Sequence, residues 1–265
     1  MERIELFDLP IDNVAMSDAV ASIRTRLDHP GFCRVSFINA DCVNLAYRDA
    51  EYRQVLATAD LSFADGTGMR WAGRCLGRAI VDNVNGTDLF PILLQAMAGR
   101  SLFLLGARPG VAQAVADWIH REFPQVVVAG TRDGYFAEAE EREVVQSIAR
   151  SGAELLMVAM GAPRQEKWIA RHAGQLGVKV AIGVGGLFGF YSGRIPRAPL
   201  WFRRMGIEWC WRWYQEPRRL CRRYLIGNPL FLARLLLVRM GTTSLAAPEP
   251  AEQSRRCLSS DKPAR

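Results

Sequence analysis

Between residues 32 and 190 the chain repeats one pattern: short, mainly apolar runs alternate with longer amphipathic stretches. Typical apolar runs are "FCRVSFINA", "LSFA", "SLFLLG", "ELLMVAM" and "KVAIGV". A strand that is apolar along its whole length must be covered on both faces, and the amphipathic stretches supply covering helices. The pattern therefore predicts an α/β domain whose parallel sheet is covered by helices on both faces.

Composition divides the chain into three predicted parts. Residues 1–193 carry the α/β pattern and form the predicted core. Residues 194–240 contain eleven Arg and only two Glu, interleaved with Trp, Tyr, Leu and Phe, which predicts a basic, amphipathic helical appendage. Residues 241–265 have few large apolar side chains and are predicted to form a disordered tail.

Several signals of other protein classes are absent from the sequence. The six Cys include no CxxC pair and His is scarce, which argues against a zinc site and favours a reducing, cytoplasmic setting. The first residues are charged where an export signal needs an apolar core, and no apolar run is long enough to cross a membrane. No phosphate-binding P-loop, dinucleotide fingerprint or DxD-like metal clamp occurs, so we expect neither metal nor cofactor.

Polar residues and glycines recur where the predicted strands end. Ligands of parallel sheets bind at the carboxyl ends of the strands, so these loops are where a site is expected. The loops are residues 39–41, 65–68, 106–109, 130–134, 160–166 and 183–186. Six such loops on one edge predict a ligand site there.

Asp65, in "ADGTG", follows one of these strands directly. Asp-Gly is a common turn dipeptide, so one interpretation of Asp65 is purely structural. The other is a general base at the rim of the sheet, which the recurrence of polar loops favours. Glycine amides near helix N-termini bind phosphate, and downstream Arg can add positive charge. A base beside a diphosphate site suggests transfer from a nucleotide-activated donor, in which the base deprotonates an acceptor hydroxyl.

Several strings together resemble one family. "FINADCVNLA", "ADLSFADGTGMRW", "NGTDLF", "VAMGAPRQEKWI", "GVGGLFGFYSG" and "WRWYQEPRRLCRR" stand in the order found in the WecG/TagA/CpsF family of bacterial glycosyltransferases, over about residues 9–225. The resemblance implies a Rossmann-like core and an inverting, metal-independent transfer from a UDP-sugar to a polyprenyl-diphosphate-linked saccharide. It also implies a role in cell-surface or exopolysaccharide biosynthesis, as a peripheral protein on the cytoplasmic face of the inner membrane.

The same resemblance assigns expected roles to individual residues. Asp65 would be the general base. The expected substrate-binding residues are Asn39, Asp88, Gln165, Arg212, Arg219 and Arg222, the three arginines gripping pyrophosphate. The expected nucleotide-binding residues are Gly106, Asp133, Gly134, Gly161, Glu166, Gly185 and Gly186.

Two positions depart from the pattern of many family members. Phe37 stands where they have Thr, and Asn83 stands where they have Arg. Because both lie close to the expected donor or acceptor site, they favour a glucose-like hexose over N-acetylmannosamine. Both donors remain open at this point.

The appendage has three interpretations. Arg-rich helices with aromatic faces suit an anionic membrane surface, they also suit nucleic acid, and they can simply be a solvated helical cap. A nucleic-acid-binding protein would leave the strand-end loops without a role, so we expect a membrane partner and no nucleic acid. In the resemblance the appendage closes over the site, and an enzyme away from the membrane could then be an inactive homo-oligomer.

Overall fold

The computed structural model describes residues 2–199, 201, 202, 205 and 207–241, without the side chain of Arg219. The predicted disordered tail therefore lies, from residue 242 onward, outside the described residues.

Six parallel strands form the central sheet, in the order β4-β3-β8-β7-β5-β6. Their bounds are β3 Cys33–Ile38, β4 Leu61–Ala64, β5 Ser101–Gly106, β6 Val127–Arg132, β7 Leu155–Ala159 and β8 Val180–Gly183. Each predicted apolar run contains one of these strands. All six carboxyl ends consequently meet at one edge of the sheet.

Helices cover both faces of the sheet, which confirms the predicted fold class. One face packs against α1 Met16–Asp28, α5 Gly86–Ala96, α6 Val111–Glu122 and α9 Leu187–Tyr191. The other packs against α2 Ala40–Ala46, α3 Ala50–Ala57, α4 Thr67–Cys75, α7 Glu141–Arg150 and α8 Arg164–His172. A short 3₁₀ turn, Glu138–Glu140, precedes α7.

An antiparallel hairpin, which the sequence pattern did not predict, precedes the sheet. It pairs β1 Arg3–Leu6 with β2 Leu9–Asp12. Its two turn residues, Phe7 and Asp8, both have positive φ (55° and 54°), a turn geometry that suits the twist of paired strands. The carboxylate of Asp12 accepts a hydrogen bond from the Ser62 backbone N–H (2.8 Å), which fastens the hairpin beside β4.

Two helix starts differ from the sequence-based expectation. Helical spacing of apolar residues over 41–59 predicts one helix, but the segment breaks into α2 and α3 because Asp49 caps a new helix by accepting from the Tyr52 N–H (2.9 Å). The sequence "GTDLFPILLQAMAG" predicts a helix capped by Thr87 or Asp88, whereas the observed cap of α5 is Asn85, whose Oδ1 accepts from the Asp88 N–H (2.8 Å).

The appendage is helical, as predicted, and its last helix packs into the core. Its elements are α10 Glu208–Gln215, α11 Pro217–Cys221, a π-helical turn Arg222–Gly227, and α12 Asn228–Arg239. Phe231 of α12 is buried, with its ring centroid 5.3 Å from that of Phe7. Buried Asn44 donates to the Gly227 carbonyl (2.7 Å) and accepts from Arg234 (2.5 Å). Among the described residues, no helix is long and apolar enough to cross a membrane.

Candidate active site

Asp65 is the first residue after β4 and lies at the carboxyl edge of the sheet. Its backbone N–H donates to the Ile38 carbonyl (2.9 Å) on neighbouring β3. The next residue, Gly66, has φ = 93°, a conformation that side chains other than hydrogen rarely allow. The chain therefore turns sharply after Asp65 and leaves its half-buried carboxylate at the rim.

Asn39 occupies the equivalent position after β3 and contacts Asp65 directly. The Oδ1 of Asn39 caps α2 by accepting from the backbone N–H groups of Asp41 (3.0 Å) and Cys42 (3.1 Å). This cap fixes the amide so that Nδ2 donates to Asp65 Oδ2 (3.3 Å). One side chain thus starts a helix and orients a carboxylate, which brings two of the predicted site residues together.

The environment raises the pKa of Asp65 above its usual range. Burial is the main cause, because it disfavours the charged form. The hydrogen bond from Asn39 and the charges of Arg223 and Arg212 act in the opposite direction, and Asp88 adds to the rise. A carboxylate with a raised pKa takes up a proton more readily, which suits a general base.

Arg212 reaches the strand-end edge from α10. Its guanidinium carbon lies 4.9 Å from the centroid of the Phe190 ring, in a cation–π contact. Its Nη2 occupies the space that a Cβ at Gly186 would fill. Gly186, predicted as a nucleotide-binding residue, therefore leaves room for this arginine.

The other two predicted arginines lie differently. Arg219 belongs to α11, and its side chain is outside the described part of the structure. Arg222 is exposed. Its neighbour Arg223, which the sequence analysis did not select, lies with its Nε 3.4 Å from Asp41 Oδ2 and contributes to the pKa of Asp65.

Asp88 lies at the start of α5 and is already engaged. It accepts from the Nδ2 of the helix cap Asn85 (2.7 Å) and forms an ion pair with Arg197 of the appendage. Arg197 also approaches Glu208 (4.0 Å). Neither Asn85 nor Arg197 was among the predicted site residues.

Gln165 ties two of the glycine loops together. Its Oε1 accepts from the backbone N–H groups of Gly161 (3.0 Å) and Gly185 (2.9 Å), which follow β7 and β8. Its Nε2 donates to Glu166 Oε1 (2.7 Å). A Cβ at Gly183 would lie 2.8 Å from the same Nε2, so glycine is needed for this close approach. Direct contact of Gln165 with substrate stays a prediction.

Glu166 is buried beneath these loops, with only 4% of its surface exposed. Burial raises its pKa to about 7, although the hydrogen bond from Gln165 lowers it. Its Oε2 is buried and has no hydrogen-bond partner among the described residues. A protonated acid suits this setting better than a carboxylate does. Its predicted contact with the nucleotide stays a prediction.

The remaining predicted nucleotide-binding residues meet beside β5. Gly106 (φ = 126°) packs so closely on β7 that a Cβ would lie 2.6 Å from the Ala159 carbonyl carbon. Gly134 donates its N–H to the Ala107 carbonyl (2.9 Å), and Asp133 accepts from the Tyr135 N–H (2.9 Å). The loops are thus compact and present backbone groups at the sheet edge.

At this edge the half-buried carboxylate of Asp65 lies within electrostatic reach of two cations, Arg212 and Arg223. Within the described ranges, His, Cys, Asp and Glu form no cluster of three or more suited to hold a metal ion. The residues that sequence reasoning missed are Asn85, Arg197 and Arg223. Asn85 carried a usable signal, since an Asn three residues before an Asp at a helix start is a common cap.

Comparison with known proteins agrees with the resemblance. The family model described as "Glycosyl transferase WecG/TagA/CpsF family" matches residues 4–244. A Bacillus subtilis (strain 168) protein named N-acetylglucosaminyldiphosphoundecaprenol N-acetyl-beta-D-mannosaminyltransferase is 32% identical over 188 residues, which are 70% of this chain and 72% of that protein. A Staphylococcus aureus (strain MRSA252) protein of the same name is 29% identical over 237 residues, 88% of this chain and 92% of that one. The chain therefore belongs to the WecG/TagA/CpsF family of glycosyltransferases.

Proposed function

We propose that this glycosyltransferase moves a sugar from a UDP-sugar to a saccharide carried on a polyprenyl diphosphate, with inversion and without a metal ion. The observation that carries the proposal is the half-buried Asp65 carboxylate, oriented by Asn39 and flanked by Arg212 and Arg223. The names of the relatives, which specify an undecaprenol diphosphate acceptor, support the choice of acceptor.

In the proposed reaction Asp65 takes the proton of the acceptor hydroxyl. The acceptor oxygen attacks the anomeric carbon of the donor while the bond from that carbon to the diphosphate oxygen breaks, and UDP leaves with the bonding electrons. Asp88 is held by Asn85 and Arg197, so Asp65 is the carboxylate best placed to act as base. A single displacement by one base inverts the anomeric centre.

Negative charge develops on the departing diphosphate, and fixed cations stabilise it. Of the arginine side chains that the structure describes, Arg212 and Arg223 act on the charge of Asp65. Arg219 and Arg222 remain candidates from the resemblance for the same task. Arginine suits it because its planar group can hold two phosphate oxygens at once. The proposed metal independence rests on these cations and on the missing DxD-like clamp in the sequence.

Two donors are compatible with the site. The names of the relatives favour N-acetylmannosamine. The departures at Phe37 and Asn83 favour a glucose-like hexose. Phe37 is buried under the first turn of α5, where a Cβ at Gly86 would lie 3.3 Å from its ring, so it acts on the site through packing.

We further propose that the appendage rests on the anionic cytoplasmic face of the membrane. Large apolar side chains are exposed between its arginines and would enter the headgroup region. They include Trp209, Tyr214, Leu225, Ile226, Leu232 and Leu236. We expect the protein to bind vesicles that contain anionic lipid, and to bind neutral vesicles and RNA more weakly.

The experiment that tests the function is sugar transfer from a panel of UDP-sugars to lipid-linked acceptors in a membrane extract, with and without EDTA. We expect transfer from one donor, unaffected by EDTA. Loss of transfer in EDTA would keep the enzyme class and overturn the metal-free mechanism. No transfer from any donor, to extracts shown to contain the acceptor, would contradict the proposed function.

Asp65→Asn is the control that connects activity to the proposed base. Removing a general base lowers turnover by about 10²–10⁴-fold, whereas UDP binding measured by calorimetry should stay within about threefold of the wild type. Near-normal turnover of Asp65→Asn would show that another group accepts the proton.

A further inference from the structure

We propose that Asn83 is a positioning residue for Asp65: it holds the peptide that follows the base, and so sets the direction in which the carboxylate points. The inference rests on the proposed role of Asp65. Asn83 does not contact the reacting atoms in this scheme; it acts through Gly66.

A short hydrogen bond connects Asn83 to Gly66, the residue that follows Asp65. The backbone N–H of Gly66 donates to Asn83 Oδ1 at 2.5 Å. Gly66 has positive φ and no side chain, so its own conformation is weakly restrained and the bond from Asn83 supplies the missing restraint. Asp65 is thus held on both sides: Asn39 binds its carboxylate, and Asn83 fixes the peptide to which it is attached.

Asn83 is itself held at a defined place by the chain before α1. Its backbone N–H donates to Asp82 Oδ1 (2.7 Å), and Asp82 Oδ2 accepts from the Met16 N–H (3.1 Å). Asn13 binds the same loop twice, accepting from the Val81 N–H (2.9 Å) and donating to the Ala79 carbonyl. The contacts of Asp82 hold Asn83 itself and make its amide a rigid support, whereas Asn13 fastens only the earlier part of the loop, at Ala79 and Val81.

The support matters because small displacements of a catalytic group are costly. A shift of about 1 Å can lower turnover by about 100-fold without removing any reacting group. Rotation of the peptide between Asp65 and Gly66 would move the carboxylate relative to the bound acceptor. Loss of the Asn83 bond should therefore lower kcat more than it raises KM for the donor.

Three substitutions separate the role of the hydrogen-bond acceptor, Asn83 Oδ1, from the effects of side-chain volume and of loop stability. Asn83→Leu keeps the volume and removes the acceptor. Asn83→Asp keeps an acceptor oxygen and adds a charge. Asn13→Leu loosens the same loop but leaves the bond between Asn83 and Gly66 intact, and serves as the structural control.

We expect Asn83→Leu to lower kcat by about 10- to 100-fold, and Asn83→Asp to restore it to within about threefold at high pH. The groups that act on Asp65 from other elements are Arg223 and Arg212, which lower its pKa, and Asp88, which raises it. A second negative charge in Asn83→Asp raises the pKa of Asp65 further, so as pH falls the variant should lose activity at a higher pH than the wild type does. Asn13→Leu should lower the melting temperature with little change in kcat.

A measurement independent of sugar transfer accompanies the kinetics. Hydrogen exchange of the Gly66 amide and the ¹³C shift of the Asp65 carboxyl, followed by NMR, should both change in Asn83→Leu and return towards wild type in Asn83→Asp. If wild-type protein transfers no sugar, the proposed function fails, and unchanged exchange and ¹³C shift in Asn83→Leu would overturn the inference separately. Unchanged kcat in Asn83→Leu, or an equal loss in Asn13→Leu, would also overturn it.

Discussion

The strand-end loops and the appendage contribute to the same site in different ways. In the loops, hydrogen bonds fix Asp65, Asn39 and Gln165, and they join residues that follow neighbouring strands. The appendage reaches the site through long arginine side chains that lie against a glycine or a carboxylate, as Arg212 and Arg223 do. The carboxylate that we propose as the base is thus built into the core, whereas Arg212 and Arg223 come from a separate part of the chain.

The appendage is not uniform in this respect. Its last helix, α12, buries Phe231 and Leu235 in the core, while α10 has no fully buried residue. The arginines at the site lie before α12 in the chain. We infer that α12 anchors one end of the appendage to the core, and that the position of the preceding helices depends on this anchor. The three predictions below test this contrast, beginning with the largest expected effect.

Phe231→Ala tests whether α12 unfolds together with the core. Phe231 is 3% exposed, and removal of a buried aromatic ring costs about 3–5 kcal/mol. Urea unfolding should shift as a single transition in this variant. Leu232→Ala, at a 44% exposed position of the same helix, should change the free energy of unfolding by less than about 0.5 kcal/mol. An unchanged core transition in Phe231→Ala would mean that α12 is energetically separate.

Glu166→Gln tests how the core side of the site responds to pH. The folded pKa of Glu166, about 7, lies above the usual 4.5, so the protonated form stabilises the fold. That contribution is complete below about pH 4.5 and is lost as pH rises through 7. By linkage the glutamine variant should match the wild type at low pH and exceed its stability by about 3 kcal/mol at pH 8.

Glu154→Gln is the matched control, because the pKa of Glu154 is lowered whereas that of Glu166 is raised. Burial opposes ionisation of Glu154, but its hydrogen bond and ion pair with Lys179 lower its pKa overall. The ionised form of Glu154 stabilises the fold above its usual pKa, and this contribution is lost as pH falls. Glu154→Gln should therefore be less stable than the wild type at neutral pH. Equal pH profiles for wild type and Glu166→Gln, measured by urea unfolding, would contradict a raised pKa of Glu166.

The core could be predicted from sequence because its signals are local. Runs such as Leu61–Ala64 are mainly apolar and wholly buried, and the glycines after them mark the turns. The break between α2 and α3 was missed because the helical spacing continues across it, and only the Asp49 cap reveals it. The hairpin was missed because its strands have four residues each and its turn, Phe7-Asp8, lacks glycine.

The appendage was harder because its residues gain their roles from distant partners. Nothing near Arg197 in the sequence indicates Asp88 as its partner, 109 residues away. Arg222 and Arg223 are adjacent, so which of them faces the site depends on the phase of the helix. The π-helical turn at Arg222–Gly227 alters that phase, because its hydrogen bonds span five residues instead of four.

The adjacent arginines provide the sharpest test of the appendage. Arg223 lies beside Asp41 and its charge lowers the pKa of Asp65, whereas Arg222 is exposed. We expect Arg223→Gln to lower kcat by about 10- to 100-fold, which corresponds to about 1.4–2.7 kcal/mol of barrier. Arg222→Gln should stay within about threefold of the wild type.

The pH profile adds a second readout to the same pair. Loss of the Arg223 charge raises the pKa of Asp65, so as pH falls Arg223→Gln should lose activity at a higher pH than the wild type does. Arg222→Gln should leave the acid side of the pH–activity profile unchanged. Both variants are assayed with the lipid-linked acceptor in anionic vesicles, so that the appendage meets the surface it is proposed to bind. A larger loss in Arg222→Gln would favour the residue that the family resemblance selects. Such a result would also mean that the appendage rotates when it binds the membrane, so that Arg222 faces the site. The appendage would then change its position while the core loops stay fixed.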